Sequence, residues 1–271
     1  MQTKKSNIET EFMAIQEQLE SYLYRLSANR EDAKDLLQDT YINIKQKVDT
    51  FQGKSSFKTW VFAIATNLAK DNQRVKNRWK LEVQDECKNA SLSTPSYQQR
   101  IIGSFQNQTE QQFEIVEHIN YCFTCIAKNL NLEQQIAIIL KEIYHFKRKE
   151  IAKILDKTEG IIKHLLFDGR KELQVRYKKR CALINKEGVC CQCAELNDFL
   201  QDTLDSESKL RATGLSQTKD AETNLDIRFA LINQINPLNS NAAELENTIL
   251  QILREVIDDK KCSTVLTFSF V

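Results

Sequence analysis

Glycine and proline are scarce in this chain, six and two among 271 residues. That scarcity argues against turn-dense sheet architectures, and the abundance of Leu, Ile, Lys, Glu and Gln favours helices. Histidine is equally sparse. His118, His145 and His164 are the only three, and none is spaced with Asp, Ser or Cys in a way that catalysis demands. No nucleotide-binding loop and no acid/base constellation is visible, so no enzyme is expected. Also missing is any apolar run near the roughly 20 residues that span a bilayer, and the opening MQTKKSNIETEF has no apolar core of signal-peptide length. A cytoplasmic protein without membrane insertion is expected. Eight cysteines in such a chain read as reduced thiols or metal ligands rather than a disulfide framework.

The formal net charge is only +1, but it is unevenly spread. Counting Lys and Arg against Asp and Glu, residues 1–80 carry +4, 81–140 carry −4, 141–180 carry +7 and 181–271 carry −6. Two basic segments alternate with two acidic ones, the pattern expected if nucleic acid is touched at two separated places.

The densest information lies between Asn29 and Arg74. Ala33, Leu36, Leu37, Tyr41, Ile44 and Val48 recur at helical spacing, with Asn29 as N-cap and Asp32, Asp35, Gln38 and Asp39 in the early turns. After Gly53, with Ser55 or Ser56 as cap, Phe57, Trp60, Val61, Ile64 and Leu68 repeat the period. This second helix leads into Lys70, Arg74, Lys76, Arg78 and Lys80. An acidic helix followed by an aromatic helix with a basic end suggests one face for a protein and another for nucleic acid.

Residues 81–111 turn polar and lose periodicity, and they read as a linker. A second helical domain opens near Phe113 with an apolar stripe through Ile119, Phe123 and Ile126. Within it Cys122 and Cys125 have a ligand-like spacing but read as buried structural thiols, because no second pair lies nearby. Residues 130–177 then give three helical stretches broken at His145–Arg148 and Asp156–Thr158, and the short second break suits a helix-turn-helix. Thr158 can cap the third helix and Glu159 complements its dipole. Ile151, Leu155, Ile161, Ile162 and Leu165 or Leu166 would close the core. Glu159, Lys163, His164, Phe167, Arg170 and Lys171 would then face solvent.

DAKDLLQDTY followed at the expected distance by SFKTWVFAIATNLAKDNQR resembles region 2 of bacterial sigma-70 family initiation factors, most closely the extracytoplasmic-function group. LNLEQQIAIILKEI, EIAKIL and the following helix with Lys163 resemble region 4 of the same family, in the right order. The resemblance implies an all-α fold of two small helical domains, a region 2 bundle and a region 4 helix-turn-helix, joined by a flexible linker and followed here by a helical C-terminal extension. The implied division is 1–80 for polymerase binding and minus-ten recognition, 81–111 for the linker, 112–180 for minus-35 recognition and 181–271 for the extension. In relatives the linker occupies the polymerase near its active site.

By resemblance, Asp35, Leu36, Gln38, Asp39 and Thr40 would bind core RNA polymerase. Trp60, Asn67, Lys70, Asp71 and Arg74 would read the minus-ten element of promoter DNA and aid strand opening, which needs π faces and donors for unstacked bases; Trp60 is equally a core candidate by its spacing. Thr158, Glu159, Lys163, His164, Phe167, Arg170 and Lys171 would serve the upstream duplex. The chain departs from the family pattern at Asp156, where Gly is usual, and an aspartate tolerates the left-handed backbone better than most residues. Lys157 stands where an apolar residue is common, while Leu165 and Asp168 replace frequent arginines. An anti-sigma factor is a further partner admitted by the resemblance.

The compact form of the family would end near Lys179. Beyond it, Cys181, Cys190, Cys191 and Cys193 crowd into thirteen positions. Three readings stand: a thiolate site for Zn or Cu(I), a redox sensor, or a turn with buried thiols. No cofactor is otherwise required. Leu225, Phe229, Ile232 and Ile235, then Leu245, Ile249, Ile252, Leu253 and Val256, suggest an acidic helical hairpin, either regulating the basic domains or packing as an extension. The rival function is a helix-turn-helix regulator that binds DNA without polymerase and carries a Cys-based metal or redox sensing tail.

Overall fold

The computed structural model describes residues 2–75, 115–181 and 220–240, with scattered positions in 95–99, 214–215 and 243–255. Among the described residues every regular element is helical. The 81–111 linker apart from three of its positions, Cys190, Cys191 and Cys193, the cap expected at Asn241 for the second helix of the hairpin, and a strand-like ending expected at 265–271 lie outside the described residues. The fold divides into two compact units that interleave along the chain: residues 1–78 with 130–171, and residues 79–129 with 172–271.

In the first unit, α1 (Gln2–Ser27) ends where Ala28 turns left-handed at φ 55°. Asn29 then caps α2 (Arg30–Lys47), its side chain accepting from the Asp32 amide at 2.9 Å, with Glu31 and Asp32 complementing the dipole. A 3-10 turn at Val48–Thr50 and a left-handed Gly53 lead to Ser56, which caps α3 (Phe57–Val75) by accepting from Thr59 N at 3.1 Å. Leu19, Tyr22, Leu23, Leu26, Ile44, Val61 and Phe62 close the three-helix core. Tyr22 and Thr66 share a hydrogen bond of 2.7 Å inside it.

The same unit contains the helix-turn-helix. Asn131 and Gln134 form a capping box at the start of α5 (Leu132–Ile138), which runs on as one π-helical stretch to Ile143. After His145 at φ 57°, α6 spans Arg148–Leu155, and Asp156 takes up the left-handed conformation at φ 52°, ψ 55°. Thr158 caps α7 (Glu159–Arg180), accepting from Ile161 N at 3.3 Å. Ile151, Leu155, Ile162 and Leu166 are buried as expected. Ile161 is not, at 43 % exposure, because it falls about 100° around the helix from Ile162 and cannot share its inward face. Gly169 explains how closely α7 seats on α5, since a Cβ there would lie 3.0 Å from Ile138 Cγ1.

This helix-turn-helix packs on α1 and α3. Tyr144 donates to Ser21 Oγ at 2.9 Å, and Gln135, fully buried, donates to the Arg25 carbonyl at 3.2 Å. Phe62 of α3 meets Phe146 with ring centroids 4.9 Å apart, and the Lys58 ammonium lies 4.9 Å above the Phe146 ring.

The second unit holds α4 (Ile115–Ala127), the C-terminal part of α7, and α8 (Ala221–Ile232). Asp220 caps α8 through Thr223 N at 2.7 Å. Leu225, Phe229 and Ile232 are buried, and Phe229 meets Phe123 of α4 edge-on at 5.9 Å. Cys122 and Cys125 are buried thiols, as their place in the stripe predicts. The extension supplies a buried arginine that periodicity alone did not disclose. Arg228 is 1 % exposed, stacks 4.0 Å above the Tyr177 ring, and donates to Asn224 Oδ1 at 3.1 Å and Cys181 Sγ at 3.2 Å. His118, 5 % exposed, titrates at about 4, first because burial disfavours its cation and second because Arg228 repels it.

Candidate polymerase and promoter interface

The α2 side chains expected to meet polymerase divide by burial. Asp35, Gln38 and Asp39 are exposed, whereas Leu36 and Thr40 face the bundle, with Thr40 Oγ1 donating to the Leu36 carbonyl at 2.6 Å. The buried pair sets the rotation of α2, and that rotation turns the exposed three outward. Beside them lies a groove of about 610 Å³ between α1 and α2, lined by Phe12, Met13, Leu37, Gln38 and Tyr41 among others. Met13 is 73 % exposed at its edge. Phe12 and Tyr41 stack at 4.9 Å, and Lys45 is fixed by Glu9 at 3.2 Å and by the Tyr41 ring at 4.6 Å. Sequence reasoning missed this groove; its signal was Met13, an exposed apolar residue next to the buried Phe12.

On α3, Trp60 is half-buried in an aromatic cluster with Phe51 at 5.0 Å and Phe57 at 5.9 Å. The cluster anchors the indole while leaving part of it accessible, so the core and surface readings meet in one side chain. Asn67 and Asp71 are exposed. Lys70 is not free: it is paired at 3.2 Å with Glu133 of α5, which also holds Lys157 at 3.4 Å. Partial burial pushes the Glu133 carboxyl up, but Lys70 and then Lys157 outweigh it and hold the group below the usual carboxylate range. Arg74 belongs to α3, and its side chain lies outside the described ones.

The third cluster is the outer side of α7. Ile162, Leu166 and Gly169 define the inward face. At about 100° per residue, Lys163, His164, Phe167 and Lys171 fall on the other side, and all four are exposed together with Thr158 and Glu159. Arg170 departs from this set. It is half-buried and tied to Glu142 at 2.8 Å, which anchors α7 to the end of the π-helical stretch.

Cys181 is 3 % exposed and occupied by Arg228, and among the described residues no group of three or more His, Cys, Asp or Glu is arranged for a metal ion. Among the same residues no helix is long and apolar enough to cross a membrane.

A helix-turn-helix with an exposed basic face, on a bundle with an exposed acidic face, is the arrangement expected of a DNA-binding protein that also docks on another protein. Residues 12–79 match the family description Sigma-70 region 2, and residues 122–173 match Sigma-70, region 4. The ECF RNA polymerase sigma factor SigX of Bacillus subtilis (strain 168) is 29% identical over 178 residues, covering 62% of this chain and 80% of that protein. RNA polymerase sigma factor YlaC of the same organism is 26% identical over 178 residues, 65% of this chain and 94% of its own length. The ECF sigma factor SigG of Mycobacterium tuberculosis (strain ATCC 25618 / H37Rv) is 24% identical over 166 residues, 58% of this chain but 45% of its own. Among solved structures, the sigma factor RpoE in complex with the anti-sigma factor NepR from Bartonella quintana aligns with a TM-score of 0.44 and 20% identity, over 62% of this chain and 94% of that one. Residues 12–79 and 122–173 thus carry sigma-70 region 2 and sigma-70 region 4, in that order, and the chain is similar to RNA polymerase sigma factors of the extracytoplasmic-function group.

Proposed function

We infer that this chain binds core RNA polymerase through the exposed α2 residues Asp35, Gln38 and Asp39 and the adjoining groove, and carries it to promoters in the cytoplasm. Leu36 and Thr40 support that face from beneath. Trp60, Asn67, Lys70, Asp71 and Arg74 of α3 engage the minus-ten element, where the indole offers a stacking surface to unpaired bases. Lys163, His164, Phe167 and Lys171 of α7 enter the major groove of the upstream element, with Thr158 and Glu159 at the leading end. Arg170 serves mainly to brace the helix. The observation that carries the reading is the exposed basic side of α7, held outward by an inward face of Ile162, Leu166 and Gly169.

Residues 1–80, 81–111, 112–180 and 181–271 are accordingly assigned to polymerase and minus-ten binding, the linker, minus-35 binding and the extension. The helical packing of α8 on α4 supports a structural role for the extension, and the Arg228 contact with Cys181 favours a buried thiol over a metal ligand at that position. An anti-sigma factor is the partner expected to restrain such a chain.

Promoter binding calls for one rearrangement. The minus-ten and minus-35 elements lie roughly 25 base pairs apart, about 85 Å at about 3.4 Å per pair, whereas Lys70 and Glu133 are 3.2 Å apart. Contact with both elements at once therefore requires α3 and the helix-turn-helix to part, and DNA phosphates then replace Glu133 as the partner of Lys70.

The test is reconstituted transcription with core polymerase on a library of random upstream sequences. Enrichment of templates sharing two spaced elements is expected. No stimulation on any template, with DNA binding retained, would leave only the polymerase-independent regulator.

A further inference from the structure

Phe167 is 66 % exposed on α7, an unusual position for a phenylalanine that closes no core. Its place on the helix is fixed. Ile162, Leu166 and Gly169 form the inward face, and Gly169 admits no Cβ without crowding Ile138 at 3.0 Å, so α7 cannot roll to hide the ring. At about 100° per residue the ring points about 130° away from the centre of that face. Lys163, Phe167 and Lys171 follow one another at i, i+4 and i+8, and all three are exposed. The two ammonium groups thus start about 12 Å apart along the axis, with the ring midway between them.

The charge of this stripe selects its occupant. An apolar partner protein would have to accept two lysines flanking the ring, whereas the major groove is about 12 Å wide and walled by phosphates on both sides. Lysines at the two ends can meet the walls while the ring meets the floor. On that floor the bases present hydrogen-bond donors and acceptors that a phenyl ring cannot use, and one apolar group, the 5-methyl of thymine. Gly160 lies on the same outer side and carries no side chain, and a Cβ there would meet Thr158 Oγ1 at an ordinary 3.8 Å, so the first turn does not hold the helix away from the groove.

We propose that Phe167 is a specificity-determining residue of the upstream element, reading a thymine 5-methyl group in the major groove between phosphate contacts made by Lys163 and Lys171. This rests on the sigma-factor reading above. It adds a base identity to it and names the group recognised.

The test uses the full chain assembled with core polymerase and a promoter recovered from the random library. Each thymine of the upstream element is replaced in turn by uracil, which removes the methyl and leaves every hydrogen-bonding edge intact. At one position the wild-type complex should lose roughly fourfold in affinity, the equivalent of one buried methyl group. Phe167→Ala should bind the thymine template as weakly as wild type binds the uracil one, and should no longer distinguish the two. Phe167→Leu should retain part of the discrimination. The proposal is overturned if wild type is indifferent to uracil at every position, or if Phe167→Ala remains as sensitive as wild type. In either of those cases promoter-specific binding persists and the sigma-factor reading stands. Failure to bind any promoter would overturn both.

Discussion

The sharpest quantitative expectation concerns His118 and the acid stability of the protein. His118 is 5 % exposed on α4, its ring 6.2 Å from that of Tyr121, and Arg228 of α8 contributes repulsion. Burial, more than that repulsion, brings its pKa from 6.5 to about 4. In the unfolded chain the imidazole takes up a proton below about 6.5, whereas in the folded protein it stays neutral down to about 4. The unfolded state therefore binds more protons throughout this window, and stability must fall as pH falls. One proton is worth at most about 1.4 kcal/mol per pH unit. Between pH 7.5 and 4.5 the loss from this residue alone is about 2.5 kcal/mol. Urea unfolding followed by circular dichroism at several pH values measures it, with His118→Gln as the control that removes the titrating group. The variant should show a flatter profile by about that amount, whatever its stability at pH 7.5. Equal slopes for variant and wild type across pH 7.5 to 4.5 would refute the burial of His118 as described.

Two further expectations test the first compact unit. Asp156 holds a left-handed backbone at φ 52°, so Asp156→Gly should raise the Tm by about 2–4 °C, and Asp156→Val should lower it; scanning calorimetry giving the reverse order would contradict the turn geometry. Glu133 pairs with both Lys70 and Lys157 at the contact between α5, α3 and the helix-turn-helix. All three side chains keep some solvent exposure, so Glu133→Gln should cost no more than about 1 kcal/mol at low salt, and less in 1 M salt where charges are screened. A cost that is independent of salt would show that the ion pairs do not hold this contact.

Much of this architecture could be read locally. The caps at Asn29, Ser56 and Thr158, the left-handed Asp156 and the outward set Lys163, His164, Phe167 and Lys171 follow from short-range rules, in which a side chain satisfies amides two or three residues away or a period selects a face. The unread features are long-range. The resemblance makes Lys70 a contact to the minus-ten element, yet its partner Glu133 lies 63 positions away, and no periodicity couples the two. Arg228 sits beside a stripe of Leu225, Phe229 and Ile232, and nothing in that local pattern shows that the Tyr177 ring, Asn224 and Cys181 make its burial tolerable. Arg170 is expected to face solvent, but its guanidinium reaches back to Glu142. Ile161 is expected in the core with Ile162, but the adjacent Ile162 already occupies the inward direction. On α2 the resemblance named five residues, and only packing separates the exposed Asp35, Gln38 and Asp39 from Leu36 and Thr40 beneath them.

The central claim is that one chain joins polymerase to promoter, with the exposed α2 face as the polymerase side. The most direct measurement compares wild type with the Gln38→Ala, Asp39→Arg double variant for binding to core polymerase and for promoter-dependent transcription in the reconstituted system. Both substitutions are at exposed positions of α2, so helix content and thermal unfolding should be unchanged. The account predicts that the double variant loses core binding and transcription together while its fold is intact. Undiminished binding to core polymerase by the double variant would contradict it.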